Sequence, residues 1–163
     1  MKHNIAIYPG SFDPITLGHL DIIHRASAMF DKVIVLVACN KNKSCSFTPE
    51  ERCDLIKRSI SDLENVEVDF YDGLIADYAH SKNAGVIIKG LRAMSDFEYE
   101  FQMALTNKKL NPEVETIFLT TSTQYMYLSS SMVKQIASMH GDIGDFVPAA
   151  IHQDIIKRLT EKA

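Results

Sequence analysis

The stretch Asn4-Ile5-Ala6-Ile7-Tyr8-Pro9-Gly10-Ser11-Phe12-Asp13-Pro14-Ile15-Thr16-Leu17-Gly18-His19 decides how this chain folds. Asn4 to Tyr8 is short and largely apolar, and it reads as a buried strand. Gly10 lets the backbone turn sharply and approach a ligand closely. Ser11 offers a hydroxyl and a backbone N–H. Gly18 and His19 fall in the first turn of the helix that follows, where free N–H groups and the helix dipole favour an anion. The loop contains neither G-x-x-x-x-G-K-[ST] nor G-x-G-x-x-G, so neither the P-loop nor the dinucleotide fingerprint applies.

The same alternation continues outward. Val33 to Ala38, Val66 to Phe70, Val86 to Ile88 and Thr116 to Leu119 read as further strands, apolar enough for a sheet covered on both faces. Between them lie helical patterns. Leu17, Leu20, Ile23 and Ala26 share one face. Thr48-Pro49-Glu50-Glu51 is a helix start with a cap, a proline at the first helical position and a capping box. Ser95-Asp96-Phe97-Glu98 predicts a second box, followed by Phe97, Phe101, Ala104 and Leu105 on one face. Ser129 to Met139 predicts a helix stopped near Gly141, and Ile151 to Leu159 a last one. Strands alternating with helices predict a doubly wound α/β fold, a parallel five-stranded sheet in a single domain over 1–163. Ligands bind such sheets at the carboxyl ends of the strands, so the loops after the strands are where chemistry is expected.

Composition narrows the function classes. The chain has 163 residues, 46% hydrophobic and 23% charged, with a formal net charge of -4. Wrapping a nucleic acid needs a broad cationic surface, so that class is excluded as the main role. No apolar run reaches the length of a membrane span. Cys39, Cys45 and Cys53 are odd in number and form no C-x-x-C pair, which predicts reduced thiols and a cytoplasmic protein.

Three further blocks follow strands or open helices. Asn40-Lys41-Asn42-Lys43 places lysines on a loop, where Lys43 can reach a phosphate as a point charge or simply stay solvated. Lys89-Gly90-Leu91-Arg92 places two cations and a glycine at a strand's carboxyl end, which suits either phosphate binding or an exposed basic loop. Ser129-Ser130-Ser131-Met132-Val133-Lys134 opens a helix with three hydroxyls, readable as an anion cradle or as plain capping.

Taken together, these blocks carry a resemblance. Thr16 and His19 resemble the (T/S)-x-x-H signature of the nucleotidyltransferase superfamily. Leu128 to Lys134 resembles its second signature, I-S-S-S/T-x-x-R/K, with leucine for isoleucine and Lys134 at the basic position. With Gly90-Leu91-Arg92-Ala93 and Asp96-Phe97-Glu98-Tyr99-Glu100 between them, the chain resembles the phosphopantetheine adenylyltransferase family from Ala6 to Gln153. The resemblance implies a Rossmann-like nucleotidyltransferase fold and transfer of AMP from Mg2+-ATP to 4′-phosphopantetheine. It implies ATP contacts at Ser11, Phe12, His19, Gly90, Leu91, Arg92, Glu100 and the run Tyr125, Met126, Tyr127, Leu128, Ser129, Ser130 and Ser131. It implies acceptor contacts at Ser11, Lys43, Leu74, Ile75 and Lys89, and catalytic roles for His19, Lys43 and Arg92. It also implies a homohexamer, coenzyme A as a feedback ligand, and Mg2+ held by substrate oxygens with no protein metal ligands. Ser11 stands where the family usually has threonine, and Lys89 where it usually has arginine. The rival readings are a nucleotidyltransferase using CTP or another phosphorylated acceptor, and a non-catalytic nucleotide sensor on the same fold.

Overall fold

Ile5–Gly10 forms the first strand, β1, and its ladder with β2 (Lys32–Ala38) runs without a break from Ile5↔Lys32 to Gly10↔Val37. The strand is longer than the expected Asn4–Tyr8 because Pro9 and Gly10 still pair with Leu36 and Val37. The computed structural model describes residues 4–39 and 44–161. The remaining strands are β3 (Val66–Tyr71), β4 (Val86–Leu91) and β5 (Glu115–Thr120). The helices are α1 (Leu17–Met29), α2 (Pro49–Ser59), α3 (Ile75–Ser81), α4 (Met94–Leu110), α5 (Ser130–Ser138) and α6 (His152–Thr160). All strand pairs are parallel, in the order β3-β2-β1-β4-β5. The order reverses between β1 and β4, so that is where a ligand crevice belongs.

Alternate residues of the central strands feed two cores. Ala6, Tyr8, Val33, Val35 and Val37 pack with Ile22, Ile23 and Ala26 of α1, Leu55 and Ile56 of α2, and Val133 and Ile155 of α5 and α6. Ile7, Ile34, Leu36 and Ile87 pack on the other side with Tyr78 and Ala79 of α3. Covering both faces explains why the strands are continuous apolar runs rather than alternating ones. Among the described residues no helix is long and apolar enough to cross a membrane.

Helix starts were legible in part. At α2, Thr48 accepts from the Glu51 N–H at 3.2 Å and the Glu51 carboxylate accepts from the Thr48 N–H at 2.8 Å, the expected box. At α4 the expected box does not form. The helix starts at Met94, its cap residue Ala93 has no side-chain acceptor, and Ser95 already lies inside the first turn. The apolar face expected from Phe101 and Leu105 is also not core: those side chains are 45% and 56% exposed. Phe97 turns inward, 5.8 Å from Phe118 of β5. A helical period identifies an apolar stripe but not what covers it.

Thr48→Ala removes the side-chain cap of α2. It should lower stability by about 0.5–2 kcal/mol in urea melts. An unchanged midpoint would show that the Pro49 start alone holds the helix.

Candidate active site

The crevice exists because β1 and β4 part early. They pair only at Ala6↔Val86 and Ile7↔Ile87, whereas β4 and β5 stay paired to Leu91↔Thr120. Pro9, which has no N–H to give, stands where β1 has lost one of its two neighbours. Between the separated ends opens a cleft of about 740 Å³, lined by the β1 loop, the end of β4, the inner face of α4 and the start of α5.

The β1 loop is held in a single shape by its neighbours. Arg52 of α2, 3% exposed, donates to the Ser11 carbonyl at 2.8 Å. Phe12 sits at φ 47, in the left-handed region that a bulky residue adopts at a cost. Its ring is buried and meets the rings of Tyr8 and His19 edge-on, with centroids at 5.4 and 5.1 Å. Gly10 is needed beneath it, since a Cβ there would sit 3.0 Å from the Phe12 ring. The Leu17 N–H donates to the Phe146 carbonyl at 2.9 Å, pinning the start of α1.

His19 is the third residue of α1 and closes a capping box with Thr16. The Thr16 N–H donates to His19 Nδ1 at 3.1 Å, and the His19 N–H donates to Thr16 Oγ1 at 3.4 Å. An Nδ1 that accepts an N–H presents its lone pair, so the neutral ring carries its proton on Nε2. Burial, with Arg92 adding positive charge nearby, pushes the imidazolium down to about pKa 4. At neutral pH the ring is therefore an uncharged Nε2–H donor at the edge of the cleft.

Across the cleft, Lys89 Nζ stands 3.1 Å from Glu100 Oε2. Arg92 donates from Nη1 to the Leu128 carbonyl at 2.5 Å, and its Nε lies 4.0 Å from Asp96. Arg92 thus ties the β4 end to the entrance of α5. Gly90 gives close packing there, since a Cβ would come within 3.3 Å of Ile22 Cγ1. At α5 the three serines divide their work. Ser129 Oγ accepts from the Met132 N–H at 3.1 Å as the cap. The Ser130 hydroxyl donates to the Pro14 carbonyl at 2.7 Å. Ser131 is exposed and lines the cleft. Ser129 therefore caps the helix and Ser130 ties it to the β1 loop, while the helix start as a whole can offer an anion its backbone amides.

Ser11, Phe12, His19, Ile75, Lys89, Gly90, Arg92, Glu100, Leu128, Ser129, Ser130 and Ser131 all line the cleft. Leu74, Leu91, Tyr125, Met126 and Tyr127 do not; Leu74, Met126 and Tyr127 are exposed at 54%, 49% and 58%. Lys43 lies outside the described residues. The lining also includes Tyr99, Met103 and Asn107 of α4, for which no role was expected. Their spacing of four residues, alongside Glu100, marks a helix face in the sequence. Nothing in that spacing says the face fronts a cleft. Among the described residues no cluster of acids, histidines and cysteines could hold a metal ion. The two carboxylates of the lining, Asp96 and Glu100, face Arg92 and Lys89.

The tautomer and pKa of His19 can be read by 15N NMR of the ring. Nε2 should carry the proton at pH 7, with a midpoint near 4. The unfolded chain takes up this proton first, near pH 6.5. The associated stability is therefore fully present above about 6.5 and lost as pH falls towards 4. A midpoint near 6.5 would mean the ring is solvated like an exposed histidine.

Comparison with known proteins places this arrangement. The family described as cytidylyltransferase-like matches residues 7–136. A phosphopantetheine adenylyltransferase of Clostridium tetani is 58% identical over 159 residues, covering 98% of this chain and 99% of that protein. One from Alkaliphilus metalliredigens is 58% identical over 154 residues, covering 94% and 98%. Among solved structures, a nicotinic acid mononucleotide adenylyltransferase of Plasmodium falciparum superposes with a TM-score of 0.65 at 18% identity, covering 98% of this chain and 95% of that one. A bifunctional NMN adenylyltransferase/ADP ribose pyrophosphatase of Francisella tularensis gives 0.72 at 16%, covering 95% and 49%. Those two likenesses speak for the fold alone. Identity above one half along nearly the whole length speaks for more, and the chain belongs to the phosphopantetheine adenylyltransferase family, within the cytidylyltransferase-like proteins.

Proposed function

We propose that the cleft transfers AMP from ATP to 4′-phosphopantetheine, forming dephospho-coenzyme A and pyrophosphate. The observation that carries this reading is the convergence of an uncharged His19 Nε2–H, the amides that open α5 and the Lys89 and Arg92 cations on one cleft, in a chain 58% identical to proteins named for that activity.

The acceptor phosphate is already ionised, so the protein need not supply a covalent nucleophile or a strong base. One acceptor oxygen attacks the α-phosphorus of ATP in line. The new O–P bond forms as the bond to the β-phosphate oxygen breaks, and pyrophosphate leaves with the electron pair. The protein's contribution is positioning and charge stabilisation. His19 donates Nε2–H to the α-phosphoryl oxygen as charge grows there. Its neutrality keeps a donor in place without the solvation cost of a buried cation. The α5 amides and Arg92 face the ATP phosphates, while Lys89, and Lys43 by resemblance, hold the acceptor phosphate. Lys89 leaves Glu100 as the phosphate arrives, which is a short movement for a flexible point charge. Mg2+ would enter with ATP and would offset negative charge on its phosphates.

Several finer expectations belong to the same reading. The chain works as one transferase domain in the cytoplasm, assembles as a homohexamer, and takes coenzyme A as a feedback ligand. The uncovered apolar side of α4, with Phe101 and Leu105, supports assembly, because an exposed apolar face is usually covered by a partner. CTP in place of ATP, or a different phosphorylated acceptor, is the competing assignment.

The direct test is pyrophosphate release with ATP, Mg2+ and 4′-phosphopantetheine, with the product mass identified. A CTP-dependent product, or release without the acceptor, would displace the assignment. His19→Ala should cost about 2.7–4 kcal/mol of transition-state stabilisation, roughly 10²–10³ in kcat, with little change in ATP affinity. Near wild-type turnover would remove His19 from the chemistry. Lys89→Ala should raise the KM for the acceptor more than that for ATP, and Lys89→Arg should be tolerated, because it supplies a forked donor. A change confined to the ATP KM would move Lys89 to the nucleotide side.

A further inference from the structure

Asp13 and Lys134 do not line the cleft, although each lies just beyond residues that do, Ser11 and Phe12 on one side and Ser129 to Ser131 on the other. Asp13 is 4% exposed. Its carboxylate accepts from the Ser46 N–H at 3.1 and 3.0 Å and from the Phe47 N–H at 2.9 Å. Lys134 Nζ completes it at 2.9 Å from Oδ2. A carboxylate this deeply buried persists only when its lone pairs and its charge are both met.

Three separate elements meet at this one side chain: the β1 loop, the segment leading into α2, and α5. One residue further on, the Pro14 carbonyl accepts from the Ser130 hydroxyl at 2.7 Å. Ser130 and Lys134 are one helical turn apart on the same face of α5. That face therefore grips two consecutive residues of the β1 loop, and α1 begins only a few residues later, at Leu17 behind its cap Thr16. The His19 donor rides on α1 and the phosphate-facing amides ride on α5. These are different helices, and their spacing is set by the grip.

We infer that the Asp13–Lys134 ion pair is a positioning element for the transfer reaction, setting the start of α5 against the start of α1 so that His19 and the α5 amides meet the same phosphate. The basic residue of the second signature is then a counter-ion to the first signature's loop rather than a phosphate ligand. The inference rests on the transfer reading above. Errors in such spacing act on turnover more than on ground-state binding, because the donors must fit the transferring group.

The test uses the full chain, with the wild type assayed alongside for pyrophosphate release. Lys134→Gln keeps a donor for the carboxylate but loses the charge and some reach; Lys134→Arg keeps the charge. A misplacement of about 1 Å costs on the order of 10²-fold, so Lys134→Gln should lose roughly 10–100-fold in kcat with the ATP KM within about 3-fold. Lys134→Arg should recover kcat to within about 3-fold of wild type. Asp13→Asn should show the same split, and the double variant Asp13→Asn with Lys134→Gln should be no worse than the poorer single, because both remove one contact. If Lys134→Gln does not fold in a thermal melt, Asp13→Asn read against Lys134→Arg decides by the same criteria. Wild-type kcat in Lys134→Gln overturns the inference. So does an ATP KM that rises while kcat holds, which would make Lys134 a direct phosphate ligand, and so do losses that multiply in the double variant. A wild-type chain that makes no dephospho-coenzyme A would instead fail the transfer reading itself, which the parallel assay distinguishes.

Discussion

The early parting of β1 from β4 is the constraint on which the site depends. Two residue pairs, Ala6 with Val86 and Ile7 with Ile87, join the halves of the sheet, after which the strands diverge. On either side the ladders continue, through Gly10↔Val37 on one half and Leu91↔Thr120 on the other. Each half therefore stays rigid up to its carboxyl end while the space between them opens. The Gly10–His19 turn hangs from one wall, and Lys89, Gly90 and Arg92 stand on the other. A ladder completed to the end of β1 would close the cleft with backbone.

An open cleft is useful only if its walls keep their places, and the β1 loop is held at nearly every residue. Arg52 holds the Ser11 carbonyl, the Ser46 and Phe47 amides and Lys134 hold Asp13, Ser130 holds Pro14, and Thr16 and His19 hold each other. Such bonding offsets the left-handed backbone at Phe12, whose ring in turn backs His19. Preorganisation of this sort suits a reaction in which the protein supplies geometry and charge rather than a bond-making group.

Charge in the cleft is arranged in pairs. Lys89 faces Glu100 and Arg92 faces Asp96. Arg92 also lies close enough to His19 to help keep the imidazole neutral. Cations that are already partnered are kept from folding onto the wrong surface, and an arriving polyanion can displace a carboxylate at modest cost. α4 contributes to both sides of the molecule: Glu100 and Met103 turn to the cleft, while Phe101 and Leu105 turn out, uncovered within the chain.

The sequence by itself determined the alternation of strands and helices, the capping box at Thr48, and the four blocks that mark the site. These are local signals: a period, a cap or a spacing needs only neighbours along the chain. What each block does needed the tertiary structure. Serines that looked equivalent at the start of α5 became a cap, a loop tie and an exposed lining residue, because only Ser130 faces Pro14. Lys134 was legible only as the basic position of the second signature, and its partner Asp13 lies 121 positions away in the chain. The expected apolar core face of α4 became surface, and Tyr125 to Tyr127 fell outside the cleft. Each of these outcomes depends on which segments meet across the fold. Strand order and helix docking fix those meetings through contacts between residues far apart in the chain, and periodicity carries no record of them.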